Sequence, residues 1–545
     1  MNNINGLNTQ SNQSNLLRDA LYRRFGTEFK SSHIDRGAIE WRSTLFYPWK
    51  DNLKDEFESF FNELKIDFNF HMLVDISLEK KGHEKILHYG LINLENYFRL
   101  LVSVKINDGP FIPGLKHLWK SAEGLEKELE ERHGLRVSNG SPSQQRSLLK
   151  KIKKEKSEKR EGIRKLPEYQ LPITPNQHDL QKKWYQAGPI SQPLKGRARL
   201  DFLADTEKVY DCQIETGFCH RGFEKMMLNK PISEVSFFME RLCTRDSVFA
   251  PLIWNEALEQ RLQVSVTEKA QAIRMVWMEM ARIEGHLSYL QELTGELGFL
   301  IESSALTELI EQVYHLYNLH SGKNQNFSIF TVGGMKKDLP MGWATECLEV
   351  VKYIYKELES IQSKVIRNKS WMILTAANPM SATSALEFGL TGPNLRACGV
   401  NYDLRKRRPR YYYSDVDFQV PLGIDGTTYD RFLVRVEEIK QSIKIINQVL
   451  DHLPAGKVND PDIDMEELFK KASDTEPLTY NMIESTEGEL GILMRTKGKG
   501  LSHFHIRSPS YVHLHCFSNL VKGDSVANAL SAFLSLGIDA WEMDR

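Results

Sequence analysis

The sequence predicts an α+β protein in which a small N-terminal α/β domain precedes a large, mainly helical domain with flanking β-strands. Three observations support this fold class. Residues 71–80 and 98–106 are short runs rich in branched and aromatic side chains, which is typical of β-strands. Apolar residues recur at helical steps over 268–294 and 429–453, which predicts two long helices. A chain of 545 residues can also bury a large core and form two to four domains.

Four segments of different composition follow one another along the chain. The first is rich in Asn, Gln and Ser, which favours a disordered tail. The second mixes strand and helix patterns, and the fourth carries the long helices. The third is dominated by Lys and Arg and reads as a solvated linker, with contact to RNA, an anionic headgroup or an acidic partner as the alternative. The predicted bounds are 1–15 for the tail, 16–137 for the α/β domain, 138–175 for the basic linker and 176–545 for the large domain.

The elements of both domains carry recognisable boundaries. HYGLINLENY lies between the two N-terminal strands, and we expect it to complete their sheet. LKHLWKSAEGLEKELEERHG predicts a helix over 115–134 that ends at Gly134, because glycine readily takes the left-handed conformation of a helix end. LKGRARLDFLA and KVYDCQIETGF predict two antiparallel strands. Ser265 and Glu268 then have capping-box spacing ahead of the first long helix.

The last part of the chain reads as strands followed by a short helix. GELGILMRTKG is one strand-like run, and SHFHIRSPSYVHLHC is another that contains two His-x-His pairs. Two such pairs on adjacent strands could bind zinc. Alternation along an ordinary strand pair explains the same spacing without a metal, and we predict no metal site. The four histidines are His503, His505, His513 and His515.

The composition excludes several classes of protein. Lys and Arg number 71 and Asp and Glu 72, so the net charge is −1 and we expect no nucleic-acid partner. The six cysteines form no Cys-x-x-Cys pair, which argues against a zinc ribbon or a thioredoxin motif and favours free thiols. Apolar runs stay shorter than the ~18 residues of a membrane span. The polar N-terminus lacks the apolar core of a signal peptide. We therefore expect a soluble chain that docks on a membrane partner.

Charged residues interrupt the apolar faces of both long helices. On the first helix their spacing of three and four residues lets neighbours share a face. Buried charges are costly unless they are paired and hydrogen-bonded, so these residues predict a buried charge network. Such a network could serve a proton-coupled machine, or it could be purely structural. Its predicted members are Arg274, Glu279, Arg282, His286, Arg431 and Arg435.

The motif CHRGFEK is a second candidate site. His220, Arg221 and Gly222 lie at what the sequence predicts to be a turn into a helix. The guanidinium of Arg221 can donate several hydrogen bonds in a fixed fork, and Gly222 permits close backbone approach. Taken alone, the motif indicates anion binding or the docking of a partner.

Several long motifs in the large domain resemble a known family. They are TGFCHRGFEK, MARIEGHL, VGGMKKDLPMGW, LTGPNLRACGVNYDLRK, DFQVPLG, YDRFLVRVEEIKQS, IRSPSYVHL and MDR. Together they resemble the 49 kDa subunit of respiratory complex I, the quinone-reducing NADH dehydrogenase, a relative of the large subunit of nickel-iron hydrogenases. Residues 16–137 stand where the 30 kDa subunit lies in fused versions. The resemblance implies a complex I 49 kDa or hydrogenase large-subunit fold.

The resemblance also implies which residues form the family's quinone site. The family holds the quinone headgroup between a His in the first hairpin and a Tyr, and these positions are Lys195 and Thr244 here. The acidic partner of that His corresponds to Glu296, and the His beside the terminal iron–sulfur cluster corresponds to Asn326. The cluster-facing His220, Arg221 and Gly222 are retained. Lys195 and Glu296 would then form an ion pair in place of a proton relay, because lysine has a much higher pKa than histidine.

Nickel-iron chemistry is not expected. It needs four thiolates from two Cys-x-x-Cys pairs, because soft ligands hold that metal. In the first pair Cys243 is present but position 246 is Asp, and IDAWEMDR at the second pair contains no Cys. We predict that the chain is not an active hydrogenase and binds no cofactor itself, with the iron–sulfur cluster on a partner subunit.

The resemblance implies a subunit of a membrane-associated NADH:quinone oxidoreductase. Such a complex I-like assembly binds NAD, passes electrons from an iron–sulfur cluster to quinone and translocates protons. We expect iron–sulfur and membrane subunits as partners and a peripheral location on the cytoplasmic side of the cell membrane. The alternative is a redox-silent scaffold or coupling subunit of an energy-converting hydrogenase-related complex. A soluble protein that binds ligands through its basic linker is the remote third hypothesis.

Overall fold

The computed structural model describes most of the chain outside the basic segment. The described residues are 16–24, 29–30, 44–48, 54–82, 84–106, 111–138, 145–147, 182–191, 194–205, 207–228, 230–243, 245, 247–472 and 478–545. The predicted tail over 1–15 and most of the predicted linker lie outside these residues. Among the helices that the structure describes, none has the length and apolar character to cross a membrane.

A five-stranded sheet forms the N-terminal part, in the order β1-β2-β5-β4-β3. Strands β3, β4 and β5 form an antiparallel meander, and β2 runs parallel to β5. The strands predicted over 71–80 and 98–106 are both present, and HYGLINLENY supplies most of the strand between them. The bounds are β1 Phe29–Lys30, β2 Thr44–Pro48, β3 Met72–Lys81, β4 Glu84–Asn93 and β5 Phe98–Ile106.

Helices α1 Lys54–Ile66 and α2 Ser121–His133 accompany this sheet. Helix α2 ends at Gly134, which has a φ of 73°, as the sequence predicts. It begins later than predicted because the segment before it forms turns, in which Trp119 donates its indole N–H to the carbonyl of Phe70. A pair of short parallel strands, β6 Phe111–Pro113 and β7 Arg136–Ser138, flanks the helix.

The large domain begins with a four-stranded sheet in the order β8-β11-β10-β9. Its central pair is antiparallel, as predicted, with Leu200 opposite Ile214. The loop between β9 and β10 reaches toward the helices and carries Lys195. The bounds are β8 Gln145–Ser147, β9 Lys183–Ala187, β10 Arg199–Ala204 and β11 Val209–Thr216.

A helical bundle follows, and its centre is a helix of 29 residues that packs against α7 and α13. The residue before this helix, Thr267, forms no side-chain cap, so the capping box predicted from Ser265 and Glu268 is wrong. The helices are α3 Phe223–Met227, α4 Ile232–Met239, α5 Phe249–Leu262, α6 Glu268–Glu296, α7 Leu300–Ser321, α8 Trp343–Ile366, α9 Lys369–Thr375, α10 Ala382–Glu387, α11 Gly392–Ala397, α12 Leu404–Arg407, α13 Thr428–Asp451 and α14 Met465–Ala472.

The chain then forms three antiparallel strands and three helices. The short strands β12 Phe330–Thr331 and β13 Gly334–Met335 lie earlier, beside α6. The second half of SHFHIRSPSYVHLHC is a helix and not a strand, because Pro509 starts the helix and the Ser508 side chain accepts a hydrogen bond from the N–H of Tyr511. The elements are β14 Leu478–Glu484, β15 Glu489–Lys497, β16 Gly500–Arg507, α15 Pro509–Leu520, α16 Val526–Ser535 and α17 Ala540–Met543.

Two apolar cores hold these elements together. One lies inside the helical bundle, around α6, and includes residues of the β14–β16 sheet. The other joins the N-terminal sheet to the β9–β11 sheet, to the segment around α11 and to α15 and α16. The N-terminal part is therefore packed into the large domain, and the predicted domain bounds remain a prediction.

Candidate functional site

The loop between β9 and β10 holds Lys195 in an unusual backbone conformation. Lys195 has a φ of +44° and Gly196 a φ of +80°. Non-glycine residues rarely adopt positive φ. Two backbone hydrogen bonds close the turn, from the N–H of Lys195 to Ser191 at 3.1 Å and from the N–H of Gly196 to Pro189 at 2.7 Å. The loop thus projects the Lys195 side chain toward the C-terminal end of α6.

A carboxylate near the end of α6 receives three cationic side chains. Arg197 Nη2 lies 2.6 and 2.7 Å from the two oxygens of Glu292, and Lys195 Nζ lies 3.2 Å from Oε1. Arg245 Nη2 donates to Oε2 of the same carboxylate. Burial raises the pKa of Glu292, but Arg245, Arg197 and Lys195 outweigh it and lower the pKa to about 2. We call these four residues the Glu292 cluster.

The structure brings Lys195 and Glu296 together, with Nζ and Oε1 3.7 Å apart. Glu292 is nonetheless the closer partner of the lysine. Thr244 lies outside the described residues. Asn326 has a φ of +56°, and its N–H donates to the hydroxyl of Ser247 at 3.3 Å. Asn326 therefore lies beside the segment that leads from Arg245 into α5.

The loop of His220, Arg221 and Gly222 turns into α3 as predicted, and Gly222 has a φ of +65°. Arg221 donates to the carbonyls of two residues, Arg241 at 2.7 Å and Leu242 at 3.1 Å. Its guanidinium also lies 4.8 Å from the ring centre of Trp541, which is 41% exposed. The loop is thereby fastened to the segment that precedes the Thr244 position.

The same loop is hydrogen-bonded to Asp544, near the end of the described chain. The carboxylate of Asp544 accepts hydrogen bonds from the N–H groups of Gly217 and Cys219, and His220 Nδ1 lies 3.0 Å from the carbonyl oxygen of Asp544. Burial and the nearby Arg132 lower the pKa of His220, so its imidazole is neutral at physiological pH. A neutral ring with one nitrogen fixed leaves Nε2 for other contacts.

The predicted charge network is buried, and Arg274 forms a branch of its own. Arg274 donates to both oxygens of Glu259, at 2.7 and 2.9 Å, and to the carbonyls of Thr331 and Gly334. The N–H of Gly333 donates to the same Glu259 at 2.8 Å. Arg274 thus stabilises the tight Gly333–Gly334 turn between β12 and β13.

Glu279 and Arg282 begin the main branch of the network. Glu279 accepts hydrogen bonds from Arg405 at 3.1 Å and from the hydroxyls of Ser442 and Tyr413. Arg282 lies 3.4 Å from Glu279 and donates to backbone carbonyls at the end of β14. Burial raises the pKa of Glu279, but Arg282 and Arg405 lower it below its usual value.

His286 occupies the centre of the network in a neutral state. Its Nε2 lies 2.9 Å from Glu438, and its Nδ1 lies 3.3 Å from Nη1 of Arg435. A guanidinium can only donate, so Nδ1 accepts and Nε2 carries the proton that is donated to Glu438. Burial is the largest cause that lowers the pKa of His286 to about 4. Glu438 also accepts from Arg396 Nε at 2.7 Å.

The network connects to the Glu292 cluster through Glu487. Arg435 Nη2 donates to Glu487 Oε2 at 2.6 Å, and Arg245 Nη1 lies 3.6 Å from Glu487 Oε1. Burial raises the pKa of Glu487 above its usual value, although Arg435 and Arg245 oppose the shift. Arg431 does not lie on this path, since it donates to Ser535 and to the carbonyl of Gly426.

Sequence reasoning missed Glu292, Arg197, Arg245 and Glu487 as members of the site. One signal was available for Glu292, which precedes Glu296 by four residues and so shares its helix face. Arg197 follows Lys195 by two residues in a loop, and Glu487 lies in the turn between β14 and β15. Nothing in local spacing identifies Arg197 as a partner of α6, or Glu487 as a partner of Arg435 and Arg245.

The four histidines of the tail lie on two different elements, a strand and a helix. His505 on β16 lies 3.0 Å from Asp75 and 3.2 Å from Glu224, whereas His513 and His515 lie on α15. The zinc alternative required two pairs on adjacent strands, which the structure does not provide. Within the part of the chain that the structure describes, no group of three or more potential ligands has the arrangement of a metal site.

Comparison with known proteins agrees with this fold. The family described as respiratory-chain NADH dehydrogenase, 49 kDa subunit, matches residues 297–545. The C/D subunit of the NADH-quinone oxidoreductase of Bdellovibrio bacteriovorus is 31% identical over 496 residues, which cover 84% of this chain and 87% of that protein. The D subunit of the NADH-quinone oxidoreductase of Pelobacter propionicus is 30% identical over 402 residues, which cover 69% of this chain and 100% of that protein.

A chloroplast protein is similar to this chain as well. The H subunit of the chloroplastic NAD(P)H-quinone oxidoreductase of Panax ginseng is 31% identical over 378 residues, which cover 66% of this chain and 96% of that protein. The fold and these similarities therefore define a subunit of an NADH-quinone oxidoreductase type of complex. The chain belongs to the complex I family of NADH-quinone oxidoreductase subunits, in the form that fuses the C and D subunits.

Proposed function

We propose that this chain forms the quinone site of a complex I-like oxidoreductase, with Lys195 and Thr244 in place of the family's His and Tyr. One observation carries the proposal: the β9–β10 loop and the end of α6 meet, with Lys195 and Glu296 3.7 Å apart. The side chain that would face a quinone headgroup therefore lies beside its expected acidic partner, although both differ from the family's residues.

The proposed role of Lys195 follows from its charge and exposure. Its side chain is 43% exposed, whereas that of Glu292 is only 9% exposed. The ammonium group has three N–H donors, so it can keep its contact with Glu292 and donate another hydrogen bond to a quinone oxygen. A cationic donor stabilises the negative charge that reaches this oxygen during reduction. The protons that complete the quinol then come from water, since the family's His and Tyr are replaced.

Electrons would reach this site from an iron–sulfur cluster on a partner subunit. The loop over 217–222 supports this role, because it presents His220 and the exposed Arg221 beside the segment of Arg245. In this proposal the chain holds no redox group itself, and other subunits bind NAD. The assembly lies peripherally on the cytoplasmic side of the membrane, on membrane subunits that translocate protons.

The variant Lys195→Met tests this proposal in the intact complex. Methionine keeps much of the length of the side chain but removes the charge and the donor. We expect the rate at which quinone reoxidises the dithionite-reduced cluster, followed by electron paramagnetic resonance, to fall about tenfold or more. Lys356→Met on the outer surface of α8 is the matched control and should keep the wild-type rate. Equal rates in both variants would contradict a role for Lys195.

The second candidate function is a redox-silent coupling subunit. The buried network favours it in one respect, because His286 is held neutral between Arg435 and Glu438 and cannot pick up a proton near pH 7. Such a network transmits conformation better than protons. A wild-type complex whose reduced cluster does not respond to quinone would support this second function.

A further inference from the structure

We infer that Glu292 is a positioning residue of this site, which holds Lys195 in place and joins it to the buried network through Arg245. The inference rests on the proposed quinone site and adds to it a residue that is not among the family positions described above. It follows from the convergence of charges on Glu292, from the backbone of the hairpin loop and from the path to Glu487.

The charges converge from two separate segments. Lys195 and Arg197 belong to the β9–β10 loop, and Arg245 belongs to the segment before α5. All three contact the carboxylate of Glu292, and Arg197 contacts both of its oxygens. A charge-assisted contact to both carboxylate oxygens is strong and fixes orientation. Glu292 therefore binds the loop to α6 through Lys195 and Arg197. It also binds the segment before α5 to α6 through Arg245.

The backbone of the loop requires such a tie. Lys195 has a φ of +44°, which a side chain-bearing residue adopts only when its surroundings impose it. The adjacent turn hydrogen bonds fix the base of the loop, and the contact with Glu292 fixes the end of the lysine side chain. Without that contact the loop can relax, and Nζ would leave the position opposite the quinone.

Glu296 cannot replace Glu292 in this role. Glu296 lies farther from Lys195, at 3.7 Å compared with 3.2 Å, and among the described residues its ion pair is with the lysine alone. Burial and the neighbouring Arg245 both lower the pKa of Arg197, which reflects repulsion between the two guanidinium groups. Asp539 opposes this repulsion less than Glu292 does, so removal of the Glu292 charge would push the loop away from Arg245.

Arg245 extends the effect of Glu292 into the core. Its Nη2 donates to Glu292, and its Nη1 lies 3.6 Å from Glu487, which accepts from Arg435. A movement of Glu292 therefore moves Arg245, which is also an ion-pair partner of Glu487. The position of the hairpin and the state of the buried network are linked through one guanidinium.

The test is Glu292→Gln in the complete complex, with Glu311→Gln on the exposed face of α7 as the control. Glutamine keeps the shape and one acceptor but removes the charge. We expect amide hydrogen exchange over 194–198 to accelerate at least about tenfold in the variant and to stay at the wild-type rate in the control. We also expect the rate at which quinone reoxidises the reduced cluster to fall about tenfold, as in Lys195→Met, because Nζ is displaced from the quinone oxygen.

A double variant, Glu292→Gln with Arg245→Gln, shows whether the loop moves because Glu292 no longer positions it or because the cluster has gained net positive charge. It removes one charge of each sign, and the loop should still exchange faster than in the wild type. Unchanged exchange over 194–198 in both variants would overturn the inference. Failure of the wild-type complex to reduce quinone would overturn the proposed function instead, because the exchange measurement does not depend on turnover.

Discussion

At the scale of single residues, carboxylates act as the hubs of this protein's interior. Burial raises the pKa of Glu438, but Arg396 and His286 outweigh it and hold the pKa well below its usual range. The sequence predicts that Glu279 and Arg282 are buried, because they interrupt an apolar helical face. The sequence cannot predict which residues pair inside this network. For example, Arg396 donates to Glu484, a residue 88 positions away.

Arg396 offers the sharpest test of the network's contribution to stability. Its guanidinium donates to Glu438, to Glu484 and to the carbonyl of Tyr402. Arg396→Leu would remove the guanidinium donor of two buried carboxylates, and we expect the free energy of unfolding in urea to fall by about 3–5 kcal/mol. Arg367→Leu, at the exposed end of α8, should change it by about 0.5 kcal/mol or less. A similar small change in both variants would mean that the network adapts to the loss.

At the scale of elements, periodicity predicted the long helices and the central strands but not every short element. The helices around 268–294 and 429–453 and the strand over 98–106 were found because their apolar patterns are long. The helix α15 was missed because His-x-His spacing imitates a strand. The Ser508 cap and Pro509 that start α15 are helix signals, and they outweigh the alternation that follows.

Gly392 tests how closely α11 must approach the β14–β15 turn. Gly392 has a φ of +67°, and a Cβ at this position would lie 2.4 Å from Cα of Gly488. Gly392→Ala therefore combines backbone strain with a clash against backbone, and we expect a loss of about 3 kcal/mol or more in the free energy of unfolding. Gly523→Ala shares the strain, with a φ of +86°, but meets no atom within 4 Å. It should cost about 1–2 kcal/mol. Equal losses would exclude the clash.

At the scale of the whole molecule, charge pairs join the N-terminal sheet to the large domain. Arg99 on β5 donates to Glu489 on β15, and Arg495 donates to Glu79 on β3 at 2.6 Å. The sequence predicts the N-terminal sheet and the large domain separately, each from its own strand and helix patterns. Their docking could not be predicted, because the paired residues are about 400 positions apart and balanced charges give no directional signal.

The same interface makes stability depend on pH through His505. Burial lowers the pKa of His505, but Asp75 on β3 and Glu224 on α3 outweigh it and raise the pKa to about 10. Arg132 and Arg545 neutralise Glu224 in part, and His503, His88 and Glu79 lie in the same cluster. A raised pKa means that the contribution of His505 is fully present below about pH 6.5 and is lost as the pH rises through about 10.

We therefore expect the free energy of unfolding to fall more between pH 6 and pH 9 in the wild type than in His505→Gln. The difference should be on the order of 2 kcal/mol, because one pKa unit corresponds to about 1.4 kcal/mol. Urea unfolding at the two pH values measures it, and comparison with the variant removes the effect of other groups such as Glu126, whose pKa burial raises to about 8. His452→Gln, at the exposed end of α13, should follow the wild type. If the free energy of unfolding changes equally with pH in His505→Gln and in the wild type, His505 is not charged in the folded protein. Apolar packing rather than this ion pair would then hold the N-terminal sheet in place.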